Sequence, residues 1–285
     1  MKLAIGTAQF GLRYGIANEA GQVGQAEVAR ILKLAQENEV DTLDTASSYG
    51  DSEACLGEVG IDGFRVVTKL PANIDGDIET WVVQNLKKSM QRLRVDAIYG
   101  LLVHRSEQLL GSTGQSLAKA LTELKAEGLV SKIGVSIYDP EELEIVTRSC
   151  SVDLVQAPFN LFDRRLMASG WLQRLHDTGI EVHVRSVFLQ GLLLMQHHQI
   201  PEKFSQWSAL LDQWHGWLAK GDATAVEACM AFVNHPMIDR VVVGVDSVAQ
   251  FKEILQASTR LPVAELPSFS CNDKLLINPS RWNSI

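Results

Sequence analysis

The run FRVVTK at residues 64–69, then helical spacing over 78–93, then AIYGLLVH at 97–104, states the repeating unit of this chain. Both short runs are rich in Val, Ile and Leu with little polar alternation, as parallel strands buried on both faces require. The segment between them has the length and spacing of a crossover helix. The unit recurs in both directions. Upstream, 3–6 and 42–44 read as strands, and 25–38 and 52–59 as helices, with Val28, Ile31, Leu32 and Ala35 on one helical face. Downstream, 132–136, 153–156, 181–186 and 240–243 read as strands. Helices are expected near 116–127, after Asp139-Pro140 (Asp as cap, Pro in the first turn), over 165–178, in a Trp-containing region after the seventh strand, and from about Ser247.

Eight strand-then-helix units in 285 residues point to an α/β fold, a closed (β/α)8 TIM barrel forming a single domain over 1–285. The rival, an open doubly wound sheet, needs a glycine-rich fingerprint after the first strand. Gly6 and Gly11 do not make G-x-G-x-x-G, and no helix follows directly. No linker or shift in composition divides the chain. From about 261 the tail carries Pro262, Pro267 and Pro279 and reads as irregular chain over one end of the barrel.

Composition narrows the function. With 46% hydrophobic and 21% charged residues, the chain can bury a core and is not disordered. A net charge of −8 without a basic stripe argues against nucleic acid as partner. No apolar run approaches the roughly 20 residues of a membrane span, and Gly6, Thr7 and Gln9 interrupt any signal-peptide core after Lys2. Cys55, Cys150, Cys229 and Cys271 form no C-x-x-C pair, so no metal and no disulfide framework are expected, and a cytoplasmic setting is. The expected partner is a small molecule. A monomer and a small homo-oligomer both remain open.

In a barrel of this kind, chemistry gathers at the carboxyl ends of the strands. Strand two ends in Asp44, with Tyr49 just beyond in DTASSYG; strand three ends in Lys69 and strand four in His104. An acid, a phenol, an amine and an imidazole thus meet on three neighbouring strands about 4.8 Å apart. Singly, Asp44 reads as a turn cap, Tyr49 as a rim aromatic and His104 as a satisfied core histidine. A buried Lys69 needs a partner. Four coincidences at one end of the barrel are harder to accept than one site.

The ordered fragments GTAQFG (6–11), DTASSYG (44–50), TKLP, LLVHR, GVS (134–136), VQAPFN (155–160), LQGLL (189–193) and VGVDS (243–247) resemble the aldo-keto reductase family over residues 6 to about 255. The resemblance implies NAD(P)H-dependent reduction of an aldehyde or ketone, with Asp44, Tyr49, Lys69 and His104 as the catalytic tetrad. Tyr49 is the proton donor, its phenol acidified by the Lys69 ammonium. Asp44 pairs with Lys69, and His104 orients the carbonyl oxygen. By the same resemblance, Ser136 and Gln156 hold the nicotinamide carboxamide. Arg185, Ser186, Phe188, Gln190 and Gly191 line the nicotinamide and pyrophosphate, and Gly244, Asp246, Ser247 and Gln250 meet the adenine end. A phosphate site at the amino terminus of the last helix also has general physics behind it.

Several positions depart from the family's commonest forms. Ile137 stands where Asn is usual, Arg185 where an aromatic stacks on the nicotinamide, and Ile254 where Asn contacts adenine. Asp246 lies where NADP users offer Lys, Arg or neutral donors, with Lys252 and Arg240 as candidate compensations. NADP(H) is the expectation the family gives and NAD(H) the alternative. Phe10, Tyr14, Arg105, Phe159 and Phe162 are candidates for the substrate pocket. Residues 196–217, with His197, His198, Trp207, Trp214, His215 and Trp217, read as a solvated loop or as a wall over the nicotinamide. Two other readings compete: a Schiff-base lyase or aldolase using Lys69, and a cofactor-binding regulatory subunit with little turnover.

Overall fold

The computed structural model describes every residue except Met1, Asp222, Leu261, Pro262 and Ala264, so the start of the tail at 261 and Pro262 lie outside the described residues. Eight strands, β1 (Leu3–Gly6), β2 (Thr42–Asp44), β3 (Arg65–Lys69), β4 (Ile98–Val103), β5 (Val130–Ser136), β6 (Leu154–Pro158), β7 (Glu181–Arg185) and β8 (Arg240–Gly244), pair in chain order. All pairs are parallel, and β8 closes onto β1 with Gly244 opposite Gly6. The expected (β/α)8 barrel is therefore the fold.

Helices cover the outside because their apolar stripes face the sheet. The helix Gln25–Glu37 buries Val28, Ile31, Leu32 and Ala35, a three–four spacing on one face. Its Val, Ile and Leu side chains contribute about 1.5–3 kcal/mol each on burial, an upper figure against a compact unfolded chain. Ser52–Val59 and Ile78–Leu93 lie where their spacing puts them. The latter is capped by Asp77, whose Oδ2 accepts from Thr80 N at 3.0 Å.

Three local expectations are corrected. The helix expected near 116–127 begins at Gly111, whose φ of +64° turns the chain into it, and Gly114 packs where a Cβ would stand 2.1 Å from the Leu109 carbonyl. Residues 165–178 form two helices, Arg165–Ala168 and Trp171–Asp177, broken at Gly170 with φ +78°. Asp139 caps nothing. Its carboxylate pairs with Arg165 and with Lys274 of the tail, while Glu142 accepts from Tyr138 N and Asp139 N.

The described tail is more ordered than irregular chain. It holds the helical turns Lys274–Ile277 and Pro279–Ser284, with Trp282 buried against Phe204 at 4.9 Å between ring centroids. Among the described residues, no helix is long and apolar enough to cross a membrane.

Inside the barrel, Val67, Leu102 and Leu154 form a small apolar cluster separate from the outer core. Two residues further along the same strands stand Lys69, His104 and Gln156. Side chains alternate along a strand, so these three project from the same inner wall. At the opposite end, Glu181 accepts from Tyr99 (2.8 Å), bonds His183 (2.8 Å) and pairs with Lys132, closing the floor with polar groups.

Candidate active site

Tyr49 is held by two turns packed backbone to backbone. Tyr49 N donates to Ala46 O (3.0 Å) and Ser52 N to Tyr49 O (3.0 Å), so the turn after β2 doubles back on itself. Gly50 adopts φ +54°, and a Cβ on it would stand 2.3 Å from Gly11 O. A Cβ on Gly11 would stand 1.8 Å from Tyr49 O. Only glycine fits at both contacts, which is why GTAQFG and DTASSYG occur together. Thr7 ties the same corner to β2 through its N and Oγ1 to Asp44 O, at 2.9 and 3.0 Å.

Lys69 is 1% exposed, and its ammonium has three acceptors: Asp44 Oδ1 (2.8 Å), Asp44 Oδ2 (2.9 Å) and Thr45 O (2.8 Å). Burial lowers its pKa below the ordinary lysine value, and Asp44 opposes that shift. Asp44 accepts a further bond from Gln156 Nε2 at 2.6 Å. The ammonium lies over the face of the Tyr49 ring, 5.0 Å from its centroid. This arrangement corrects the expected acidification of Tyr49. Burial and then the Asp44 charge push the phenol pKa above its ordinary value, so Tyr49 is neutral and carries its proton.

His104 stands edge-to-face with Tyr49, ring centroids 6.5 Å apart. Burial, followed by the Lys69, Arg185 and Arg105 cations, lowers the imidazole to about 4. It is therefore neutral at pH 7, and its buried Nδ1 has no partner. Gln156 Oε1 is buried and unpartnered as well. His104 Nδ1 belongs to the cavity lining and Gln156 stands behind Asp44; leaving a buried polar atom unmatched is costly unless a partner meets it.

Asp44, Tyr49, Lys69 and His104 all line one cavity of about 940 Å³ at the carboxyl face of the barrel, room for a ligand larger than a small carbonyl compound. Of the expected cofactor residues, Ser136, Arg185, Ser186, Phe188, Gln190, Gly191, Gly244, Asp246 and Gln250 line it too. Gln156 and Ser247 do not. Gln156 is turned to Asp44, and Ser247 Oγ caps its own helix by accepting from Gln250 N at 3.2 Å.

Among the pocket candidates, Tyr14 lines the wall, its hydroxyl accepting from Gln190 Nε2 at 3.2 Å. Phe10, Phe159 and Phe162 are buried in the core, and Arg105 is exposed away from the cavity. In the region 196–217, Gln196 and Gln199 reach the cavity rim, Trp207 and Trp214 are buried, and His197 bonds Asp212 at 2.6 Å.

Sequence reasoning missed three residues. Tyr138 lies under the Arg185 guanidinium, 4.5 Å from ring centroid to Cζ; its place two residues past β5 is a strand-end signal that pointed to it. Asn18 crosses the cavity mouth and donates to Asp246 Oδ1 at 3.3 Å. Glu27 accepts from Val248 N at 2.7 Å, filling the amino terminus of the helix Val248–Thr259. No local pattern marks Glu27, because the contact exists only through closure of the ring.

The chain is similar to proteins of one group. The model of the aldo/keto reductase family matches residues 2–268. An uncharacterized oxidoreductase, YqkF of Bacillus subtilis (strain 168), is 25% identical over 272 residues, 86% of this chain and 87% of that protein. The methylglyoxal reductase DkgB of Escherichia coli O157:H7 is 30% identical over a shorter stretch, 38% of this chain and 41% of that protein. Among solved structures, the holo form of an aldo-keto reductase from Bacillus halodurans aligns with a TM-score of 0.72 at 20% identity, covering 92% of this chain and 88% of that one. A glycerol dehydrogenase from Gluconobacter oxydans aligns with the same TM-score and identity, covering 92% and 87%.

Proposed function

Because the chain belongs to the aldo/keto reductase family, and so is an oxidoreductase, we propose that it reduces an aldehyde or ketone to an alcohol, using NAD(P)H. The observation that carries this reading is the shared cavity: a sealed Asp44–Lys69 pair, a neutral phenol and a neutral imidazole lie on one wall, continuous with the ends of β7 and β8. The cavity fits a dinucleotide in volume, and the orphaned His104 Nδ1, on a residue of the same lining, fits a carbonyl oxygen. The bound dinucleotide supplies the hydride.

The chain's own residues do the rest. Tyr49 Oη donates its proton to the carbonyl oxygen as negative charge forms there. The Lys69 ammonium, close to the ring, stabilises the phenolate that remains, and Asp44 holds that ammonium in place. Neutral His104 donates a hydrogen bond that orients the carbonyl oxygen. Ser136 serves the carboxamide, while Gln156, turned to Asp44, holds that carboxylate in place. Arg185, Ser186, Phe188, Gln190 and Gly191 serve the nicotinamide and pyrophosphate, while Gly244, Asp246 and Gln250 serve the adenosine side.

A Schiff-base lyase is disfavoured, since all three Lys69 N–H bonds are committed and the amine is buried. An inactive regulatory subunit is disfavoured by the assembled tetrad. Four free thiols accord with a cytoplasmic setting. The test is Tyr49→Phe, assayed by fluorescence titration with reduced dinucleotide and by its oxidation against a carbonyl panel. Binding is expected to persist while turnover falls roughly 10²–10⁴-fold. Normal turnover by the variant would remove Tyr49 as donor.

A further inference from the structure

The dinucleotide cleft is charged unevenly. Among the described residues that line it, Lys69 and Arg185 are the only Lys and Arg side chains, and both belong to the tetrad end. Away from the tetrad, the charged lining is Glu19, Asp246 and Glu253, all acidic. Neither cation offered by the sequence reaches this end. Arg240 opens β8 at the opposite end of the barrel, 6% exposed and bonded to Thr42 Oγ1 (3.0 Å), Asp239 O (2.9 Å) and Asp41 Oδ1 (3.3 Å). Lys252 is exposed and does not line the cavity.

The amino terminus of the helix Val248–Thr259 would otherwise attract a phosphate. Here a carboxylate already occupies it: Glu27 Oε1 accepts from Val248 N at 2.7 Å, and Ser247 Oγ takes Gln250 N. Arg30 pairs with Glu27 and does not line the cavity. A ribose phosphate carries about −1.5 to −2 charge at pH 7 and would find no cation and a filled helix end. An unphosphorylated ribose offers two hydroxyl donors instead. A carboxylate is an acceptor only and suits them. Asp246 is half-buried, and among the described residues it has no cation partner. Its Oδ1 accepts a 3.3 Å bond from Asn18 and the Gln250 side chain stands beside it, and a carboxylate with two oxygens keeps acceptor capacity toward the cleft.

We propose that this cleft takes NAD(H) in preference to NADP(H), with Asp246 as the acceptor for the adenosine ribose hydroxyls and Glu27 and Glu253 excluding a ribose phosphate. This inference rests on the carbonyl-reductase reading and reverses the NADP(H) expectation that the family resemblance gives. Burial holds the Asp246 carboxyl above its ordinary pKa, as expected for an acid with no cation beside it. The same acceptor chemistry reads the ribose in dinucleotide sites of a different fold.

The experiment is titration of the purified full chain with NADH and with NADPH, read by fluorescence, so that it needs no substrate. NADH is expected to bind roughly 30-fold or more tightly than NADPH, since like-charge contact costs several kcal/mol. Asp246→Ser is expected to weaken NADH about 10-fold and to narrow the gap. Equal or tighter NADPH binding by the native chain overturns the inference and leaves the reductase reading standing. Binding of neither nucleotide overturns both. A native preference for NADH that Asp246→Ser leaves unchanged overturns the assignment of Asp246. Should Asp246→Ser not fold, the comparison on the native chain still decides the preference.

Discussion

Removal of the Lys69 ammonium is the most demanding test of the site's electrostatics. Lys69→Met keeps roughly the same volume and apolar stem but leaves Asp44, 4% exposed, with Gln156 Nε2 as its remaining side-chain donor. Thr45 O also loses its 2.8 Å bond. Breaking a buried ion pair by removing one partner costs about 3–5 kcal/mol, because the surviving charge stays desolvated. At about 2–3 °C per kcal/mol for a chain of this size, the melting temperature should fall by roughly 6–15 °C. Asp44→Asn alone should cost a similar amount, now from an unpaired ammonium.

The double variant Asp44→Asn/Lys69→Met removes both charges and should recover a large part of the loss, a coupling of about 2–3 kcal/mol in a double-mutant cycle. Thermal and urea unfolding, followed by circular dichroism, measure all three. Losses below about 1 kcal/mol for each single variant, or strict additivity in the double, would refute the claim that this pair is sealed and mutually dependent.

Two further outcomes follow from the same geometry. Gly11→Ala places a methyl 1.8 Å from Tyr49 O and 2.3 Å from Ser52 N, both backbone atoms that cannot rotate away. Stability should fall by about 2–4 kcal/mol and carbonyl reduction should be lost, while Gly24→Ala, with open space around it, should do neither. His104 takes up a proton at about 4 in the folded chain and at 6.5 in the unfolded one, so between these values the unfolded state binds more protons. Its contribution to stability is present above pH 6.5 and lost as pH falls toward 4. Relative to His104→Gln, the native melting temperature should decline across that window, and a flat difference would show the imidazole to be unshifted.

The eight strand–helix units and the strand ends at Asp44 and Lys69 were legible because they depend on local periodicity and turn chemistry, whereas the packing of GTAQFG on DTASSYG came only from the structure. Nearest-neighbour pairing then follows from short parallel connections, so the tetrad could be read as a set. Boundaries were less legible where a glycine in the left-handed region opened a helix, as at Gly111, or split one, as at Gly170.

What the sequence determined by itself was the barrel and the four groups on its rim, since both arise from a strand-and-helix pattern that can be read one unit at a time. Only the tertiary structure decided the state of those groups and the character of the rest of the cleft. Burial and then the Asp44 charge keep Tyr49 protonated, while Lys69 is committed to Asp44 and Thr45; Phe10 and Phe162 turn into the core; Glu27 reaches Val248 across 221 positions of chain. A pKa is set by everything that surrounds a group, and a helix end is filled by whatever ring closure brings beside it. Neither is a property of the neighbouring letters.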